Sequence, residues 1–274
     1  MTDTDPSHSG TQRIALAVEY DGSAFSGWQR QLSPELATVQ SSLESALSQV
    51  ANEPISTVCA GRTDAGVHAS CQIVHFDAVI DRGAKAWTRG VNSLLPPSVR
   101  VIWSHNVSAD FHARFSATAR RYNYLMQLGN TASAIHAGKL THVRTQLDSE
   151  AMHDAAQHLL GEQDFSAFRA AGCQSKTANR EVFEASINSH GELLLLDIHA
   201  NAFLQHMVRN IVGALLEVGK GRREPQWIRE LLDGRDRTLA GASAPPDGLY
   251  LVQVDYPTSF ALPQTRRIPL LAGQ

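Results

Sequence analysis

Ile14, Leu16 and Val18 alternate with small neighbours, which is the period of a strand. Residues 38–51 then place Val39, Leu43, Leu47 and Val50 at helical spacing. A short β-prone stretch, 55–60, precedes a second strand over 71–76 (CQIVHF). Trp87, Val91 and Leu94 predict a helix across 84–95, stopped by Pro96-Pro97, and 99–103 (VRVIW) returns to strand. The order β-α-β-β-α-β is the split βαβ of ferredoxin-like folds. The second half repeats that order. A strand over 119–127 is followed by a helix with Asp148 as N-cap, Met152, Ala155 and Leu159 inward, and Gly161 as its stop. Residues 182–188 and 192–199 form a hairpin about 189–191. A helix over 203–218 carries Phe203, Met207, Ile211, Leu215 and Val218 on one face and stops at Gly219. A short helix runs from Pro225 to near Gly234, and 249–255 is the last strand.

This pattern predicts an α+β fold: two ferredoxin-like lobes forming one larger, mainly antiparallel sheet, with helices on one face and a central cleft. The expected divisions are a disordered tail over 1–11, an N-terminal lobe over 12–112, a C-terminal lobe over 113–260 and a tail over 261–274. Length agrees, since 274 residues at ~150 per domain give about two units. A chain this long folds without a disulfide or metal staple. Its composition, 43% hydrophobic and 19% charged, is that of a globular protein rather than a disordered one. The formal net charge of −3 excludes a generally basic nucleic-acid coat, so any RNA must meet a local basic patch. Cys59, Cys71 and Cys173 form no CxxC pair and read as reduced thiols in the cytosol. Nothing in the first residues resembles a leader, and no apolar run approaches the ~18 residues of a membrane span. Twelve histidines raise the possibility of a metal, but there is no H-E-x-x-H and no pair at ligand spacing with a matching acid, so none is expected.

Three stretches carry candidate chemistry. The first is Cys59-Ala60-Gly61-Arg62-Thr63-Asp64-Ala65-Gly66-Val67-His68-Ala69, between two strands. Gly61 and Gly66 permit a tight loop. In an extended backbone Arg62 and Asp64 point to one side, and the guanidinium would keep Asp64 ionised and fit to act as nucleophile or base. Spacing alone favours the plainer reading, an Asx turn capped by Asp64 beside a solvated Arg62. The second is Arg120-Arg121-Tyr122-Asn123-Tyr124, with both tyrosines on one strand face. Tyr122 could stack on a base, or the tyrosines could simply pack. Arg100, Arg114, Arg120 and Arg121, set against Asp110, make a local excess of basic charge. The third is Asn201–Asn210, opening a helix on which His206, Arg209, Asn210 and Gly213 fall on a polar stripe. Arg209 near a helix start opposes the dipole, which suggests an anionic partner; a solvated face is the plain alternative.

Together these strings resemble the tRNA pseudouridine synthase family, whose members isomerise uridines 38, 39 and 40 of the anticodon stem-loop. The matching pieces are EYDGSAFSGWQRQ (19–31), CAGRTDAGVHA (59–69), DFHARFSATARRYNY (110–124), DFSAFRA (164–170), ANAFLQHMVRNIVGAL (200–215) and LAGASAPPDGLYLVQVDY (239–256). GRTDAGVHA is the specific one; the others are weak singly. The resemblance implies that Asp64 is the catalytic aspartate, that Tyr122 lies against the target base and that Arg209 pairs with the carboxylate. Arg62 would also help hold Asp64. Arg30, Arg114, Arg120, Arg121 and His206 are expected to bind substrate. The implied partners are tRNA and a second copy of the chain, with no cofactor, no DNA and no membrane, in the cytoplasm. Two rival readings remain at this point. A non-catalytic RNA-binding module of two such lobes would leave GRTDAGVHA without a role. A glycoside-type hydrolase would need a second acid beside Asp64.

Overall fold

The computed structural model describes residues 11–31, 36–80 and 82–269, so the expected N-terminal tail lies outside the described residues except for Thr11. Strand β1 (Gln12–Tyr20) leads to α1 (Val39–Ala51), β2 (Val58–Cys59), β3 (His68–Ala78), α2 (Val91–Leu94) and β4 (Val99–Val107). The second half runs β5 (Ala119–Leu128), β6 (Thr141–Val143), α3 (Ser149–Gln157), β7 (Gly161–Asp164), β8 (Asn179–His190), β9 (Leu193–Ala200), α4 (Met207–Gly219), α5 (Trp227–Gly234) and β10 (Leu249–Asp255). Thr38 caps α1 through the Ser41 N–H while the Ser41 side chain returns to the Thr38 backbone. Asp148 caps α3 as expected, accepting from Ala151 N.

Both halves have the ferredoxin-like strand order. In the first, β2 pairs β3, β3 pairs β1 and β1 pairs β4; in the second, β8 pairs β9, β9 pairs β5 and β5 pairs β10. The lobes join through β3 and β10, which run parallel at His68↔Tyr250 and Ala69↔Leu251. One edge of β3 is taken by β1. The other is divided, with β2 holding His75 and Val74 and β10 holding His68 and Ala69. The sheet is therefore continuous, and one core, including Trp28, Trp87, Phe76, Tyr124, Phe165 and Phe168, extends through both lobes.

Several expected elements differ. The stretch 55–60 shrinks to two paired residues because side chains of α1 take the backbone before them, Ile55 N donating to Ser48 Oγ (2.9 Å) and Thr57 N to Glu44 Oε1 (2.8 Å). The helix over 84–95 begins as a π-turn at Ala86–Gly90, and only Val91–Leu94 is α-helical. The helix expected from Phe203 starts at Met207, because His206 adopts a left-handed backbone (φ 60). Short strands β6 and β7 carry no alternating pattern long enough to read. The segment after β10 is tied down where it is described. Trp103 Nε1 donates to Gln264 O (2.9 Å), Arg267 N to Val252 O (2.9 Å) and Ser70 Oγ to Arg267 O.

Two consequences can be measured. A Cβ on Gly22 would stand 2.0 Å from Val67 O, and both atoms belong to backbone that supports the 60–67 loop. Gly22→Ala should lower stability by about 1–3 kcal/mol, read as a melting shift; an unchanged melt contradicts this packing. His75 is buried on β3 and its Nδ1 accepts from Ala113 N (3.1 Å). Burial, helped by Arg13 and His112, pushes it from 6.5 down to about 4. It is neutral in the fold and protonated in the unfolded chain below 6.5. Stability it contributes is complete above that pH and is lost as pH falls toward 4, by up to about 3 kcal/mol. Denaturant titrations across this window should show the loss, and His75→Gln should lessen it; equal slopes contradict the assignment.

Candidate active site

The loop from Ala60 to Val67 leaves β2 and enters β3 where β10 takes over the shared edge. It is held from four directions, three of them through its backbone. Gln72, fully buried on β3, grips Gly61 twice, donating Nε2 to Gly61 O (2.6 Å) and accepting from Gly61 N (3.3 Å). From β1, the Tyr20 hydroxyl meets Thr63 Oγ1 at 2.8 Å. The segment before α1 adds Trp28 N to Thr63 O (3.0 Å) and accepts Gly66 N at Phe25 O (3.3 Å). From β5, Arg120 Nη2 donates to Ala60 O (3.0 Å). Gly66 has φ 79 and lies against Pro246, so a side chain there is excluded both by conformation and by space. The only side chain of this loop turned into the cleft with a negative charge is Asp64.

Asp64 faces the start of α4 across the seam. Its Oδ2 lies 3.3 Å from His206 Nε2 and 3.8 Å from Arg209 Nη1. Arg209 is aimed by the backbone after α5: its Nε donates to Ala244 O (2.8 Å), and Ala244 N donates to Arg209 O (2.9 Å). The helix N-terminus adds its positive dipole end on the same side, so an anionic Asp64 resolves the misfit of a cation in the first turn of α4. No backbone N–H of its own loop reaches the Asp64 carboxylate among the described residues, which removes the Asx-turn reading; the turn runs from Asp64 O to Val67 N (3.1 Å) instead.

Tyr122 comes up from β5 on the helix-bearing face. It is buried, its ring meets Phe203 edge-on at 5.0 Å, and its hydroxyl lies near Gly61. Burial, with Asp64's charge adding and Arg120's opposing, pushes its phenol above the ordinary value, so it is neutral and protonated. No group among the described residues hydrogen-bonds that hydroxyl. Cys59, at the root of the loop, is pushed up to about 12 by burial and is no thiolate. Among the described residues no group of three or more His, Cys, Asp or Glu side chains is placed to hold a metal.

Some expected site residues have other partners. Arg62 is exposed and makes no ion pair with Asp64, because the loop is bent rather than extended and Thr63 takes the inward position. Arg121 lies on the opposite sheet face, buried against Asp197 (3.0 Å) and Glu184 (2.7 Å), so its charge is already met. Arg120 gives all four of its Nη hydrogens to the carbonyls of Ala60, Arg114, Ala117 and Asn201, and so braces the loop. The polar stripe on α4 is not solvated: Asn210 is buried, donating to Phe168 O (2.8 Å), and Gly213 packs on Ala242. Arg114 and Arg30 remain exposed, Arg30 only 3.8 Å from Glu44. Gln72, Tyr20 and Ala244 were not singled out by sequence. A polar Gln within an apolar strand and the Pro-Pro-Asp-Gly turn after Ala244 were the available signals.

Residues 16–116 and 155–257 match the sequence family described as tRNA pseudouridine synthase. A "tRNA pseudouridine synthase A" of Shewanella amazonensis is 55% identical over 258 residues, covering 94% of this chain and 98% of its own. The protein of that name from Salmonella typhimurium is 55% identical over 262 residues, 96% of each chain. That from Pseudoalteromonas atlantica is 53% identical over 258 residues, 94% and 97% of the two chains. Among solved structures, an archaeal box H/ACA sRNP Nop10-Cbf5 complex gives a TM-score of 0.32 at 14% identity, covering 74% of this chain and 43% of the other, a likeness too distant to bear on the site. The matched segments include the braced loop and the start of α4, and on that basis, with the identities above, the chain belongs to the tRNA pseudouridine synthase family.

Proposed function

We propose that Asp64 is the carboxylate with which this tRNA pseudouridine synthase isomerises uridine, and that its targets are uridines 38, 39 and 40 of the anticodon stem-loop. The observation that carries the assignment of Asp64 is its setting: a carboxylate on a loop braced from four sides, facing His206 and Arg209 from the other lobe. Isomerisation breaks the C1′–N1 bond, turns the uracil over and joins C5 to C1′, with no net redox change. An anionic oxygen beside the sugar and base edge can serve as nucleophile or base in that sequence. Arg209 and His206 aim it. Tyr122 forms a wall on which the detached uracil stacks, and its unpartnered hydroxyl is available to that base. A neutral phenol can donate at once, and it can take the C5 proton only after passing on its own. A base inside a stem is reached by extrusion, at about a few kcal/mol. Exposed Arg30, Arg62 and Arg114 offset part of this through phosphate contacts. The two lobes, 12–112 and 113–260, each contribute one wall, and the working form is a cytoplasmic homodimer; these features and the target positions rest on the family likeness.

The family likeness makes the product pseudouridine in intact RNA rather than free uracil. Transfer RNA labelled with tritium at uridine C5 tests this. Wild-type enzyme should release tritium and leave pseudouridine at positions 38–40; free uracil, or modification elsewhere in the tRNA, contradicts the reading. Tyr122→Phe keeps the ring and loses the hydroxyl. It should bind tRNA with near wild-type affinity and release tritium at least about 100-fold more slowly. Wild-type release by this variant would reduce Tyr122 to a stacking surface.

A further inference from the structure

Phe115 exposes 77% of its surface, yet nothing around it is loose. The turn that presents it is tied at both ends: Ser116 N donates to His112 O (2.8 Å), and His112 N to Ser116 Oγ (2.9 Å). Tyr256 donates its hydroxyl to Ala113 O (2.6 Å), and Ala113 N is held by His75. The Arg114 and Phe115 N–H groups both donate to His112 Nδ1 (3.2 and 3.1 Å). That nitrogen is thus an acceptor, the ring is neutral with its proton on Nε2, and the ring plane is fixed. It lies against Phe115 in a stacked geometry, centroids 4.3 Å apart and planes 25° apart. The Arg114 guanidinium stands 5.6 Å from the Phe115 centroid. A fully exposed phenyl contributes little to folding, whereas a phenyl held still beside a cation is suited to a flat ring with an attached anion.

The turn is also coupled to the Asp64 loop. A single nitrogen, Arg120 Nη2, donates both to Arg114 O (2.8 Å) and to Ala60 O (3.0 Å). Arg62 and Arg114 are both exposed and both lie within electrostatic range of Cys59, at the root of that loop. The turn that carries the ring is thus tied through Arg120 to the loop that carries the carboxylate.

We propose that Phe115, backed by His112, is a stacking platform for an unpaired nucleobase of the RNA next to the one admitted to Asp64, with Arg114 on its phosphate. This rests on the reading of the chain as an enzyme acting on tRNA. Single-stranded bases are held in this way, on aromatic faces beside arginine, with little regard to base identity. The platform would fix the register of the strand, so that one nucleotide is extruded while its neighbour is held.

The test uses the full chain and an anticodon stem-loop RNA carrying 2-aminopurine at successive loop positions. Wild-type binding should change the fluorescence of the probe at one position through stacking. Phe115→Ala should abolish that change and weaken binding roughly 5- to 100-fold, with the melting temperature unaltered. Phe115→Trp should restore both, and its own emission should be quenched by the RNA. A Phe115→Ala enzyme with wild-type affinity and an intact probe response overturns the platform. So does one whose sedimentation changes while its affinity per protomer does not, since Phe115 is then a contact between copies of the chain. Wild-type enzyme on unmodified tRNA is the separate control. If it binds but makes no pseudouridine, the activity reading fails while the binding arms still decide the platform; if it binds no RNA, both fail.

Discussion

The divided edge of β3 is the constraint on which the rest of the structure depends. One strand cannot pair along its whole second edge with both β2 and β10, so β2 ends after two residues and the chain must turn away before re-entering as β3. That turn is the Asp64 loop. The same pairing at His68 and Ala69 joins the lobes, so the place where the loop is forced out is also where the second lobe arrives. A carboxylate from one lobe and two potentially cationic side chains from the other meet there because of strand pairing, not because of any long-range attraction.

Bracing makes that meeting specific. A loop with two glycines is flexible in isolation, and its backbone polar groups need partners once it is buried. Here Gln72, the Phe25–Trp28 segment and Arg120 supply them, Tyr20 holds the Thr63 side chain, and each belongs to a different part of the fold. The arrangement leaves Asp64 as the group not consumed by loop structure. It also shows Arg120, basic and adjacent to the site, serving as a brace. On the other sheet face Arg121 shows the same economy, with Glu184 and Asp197 meeting its charge.

Much of this was legible in the sequence where periodicity is strong. Ile14, Leu16 and Val18, the 119–127 strand and the hairpin about 189–191 carry a clear period of two, and Asp148 announces its helix. The repeated β-α-β-β-α-β order implied the two lobes, and the loop with Gly61 and Gly66 stood out as a candidate site. Partners distant along the chain were not legible. Arg62 is two residues from Asp64 and looks like its counterion, yet Arg209 and His206 have that place because α4 starts late, after a left-handed residue. Asn210 and Gly213 read as a polar stripe because nothing in the local spacing reveals that 242–244 covers that side of α4. Strands of three or four residues such as β6 and β7 owe their existence to neighbours, not to their own pattern.

The central claim is that the chemistry belongs to one carboxylate while binding belongs to the surrounding surface. Asp64→Asn keeps the size of the side chain and its contact with α4 but removes the negative charge. The decisive measurement is pseudouridine formation by that variant in a single turnover, at saturating enzyme, beside its affinity for tRNA. The account predicts near wild-type affinity, since phosphate contacts dominate binding, and a rate lowered by at least about a thousandfold. An Asp64→Asn enzyme that forms pseudouridine at close to the wild-type rate would contradict it.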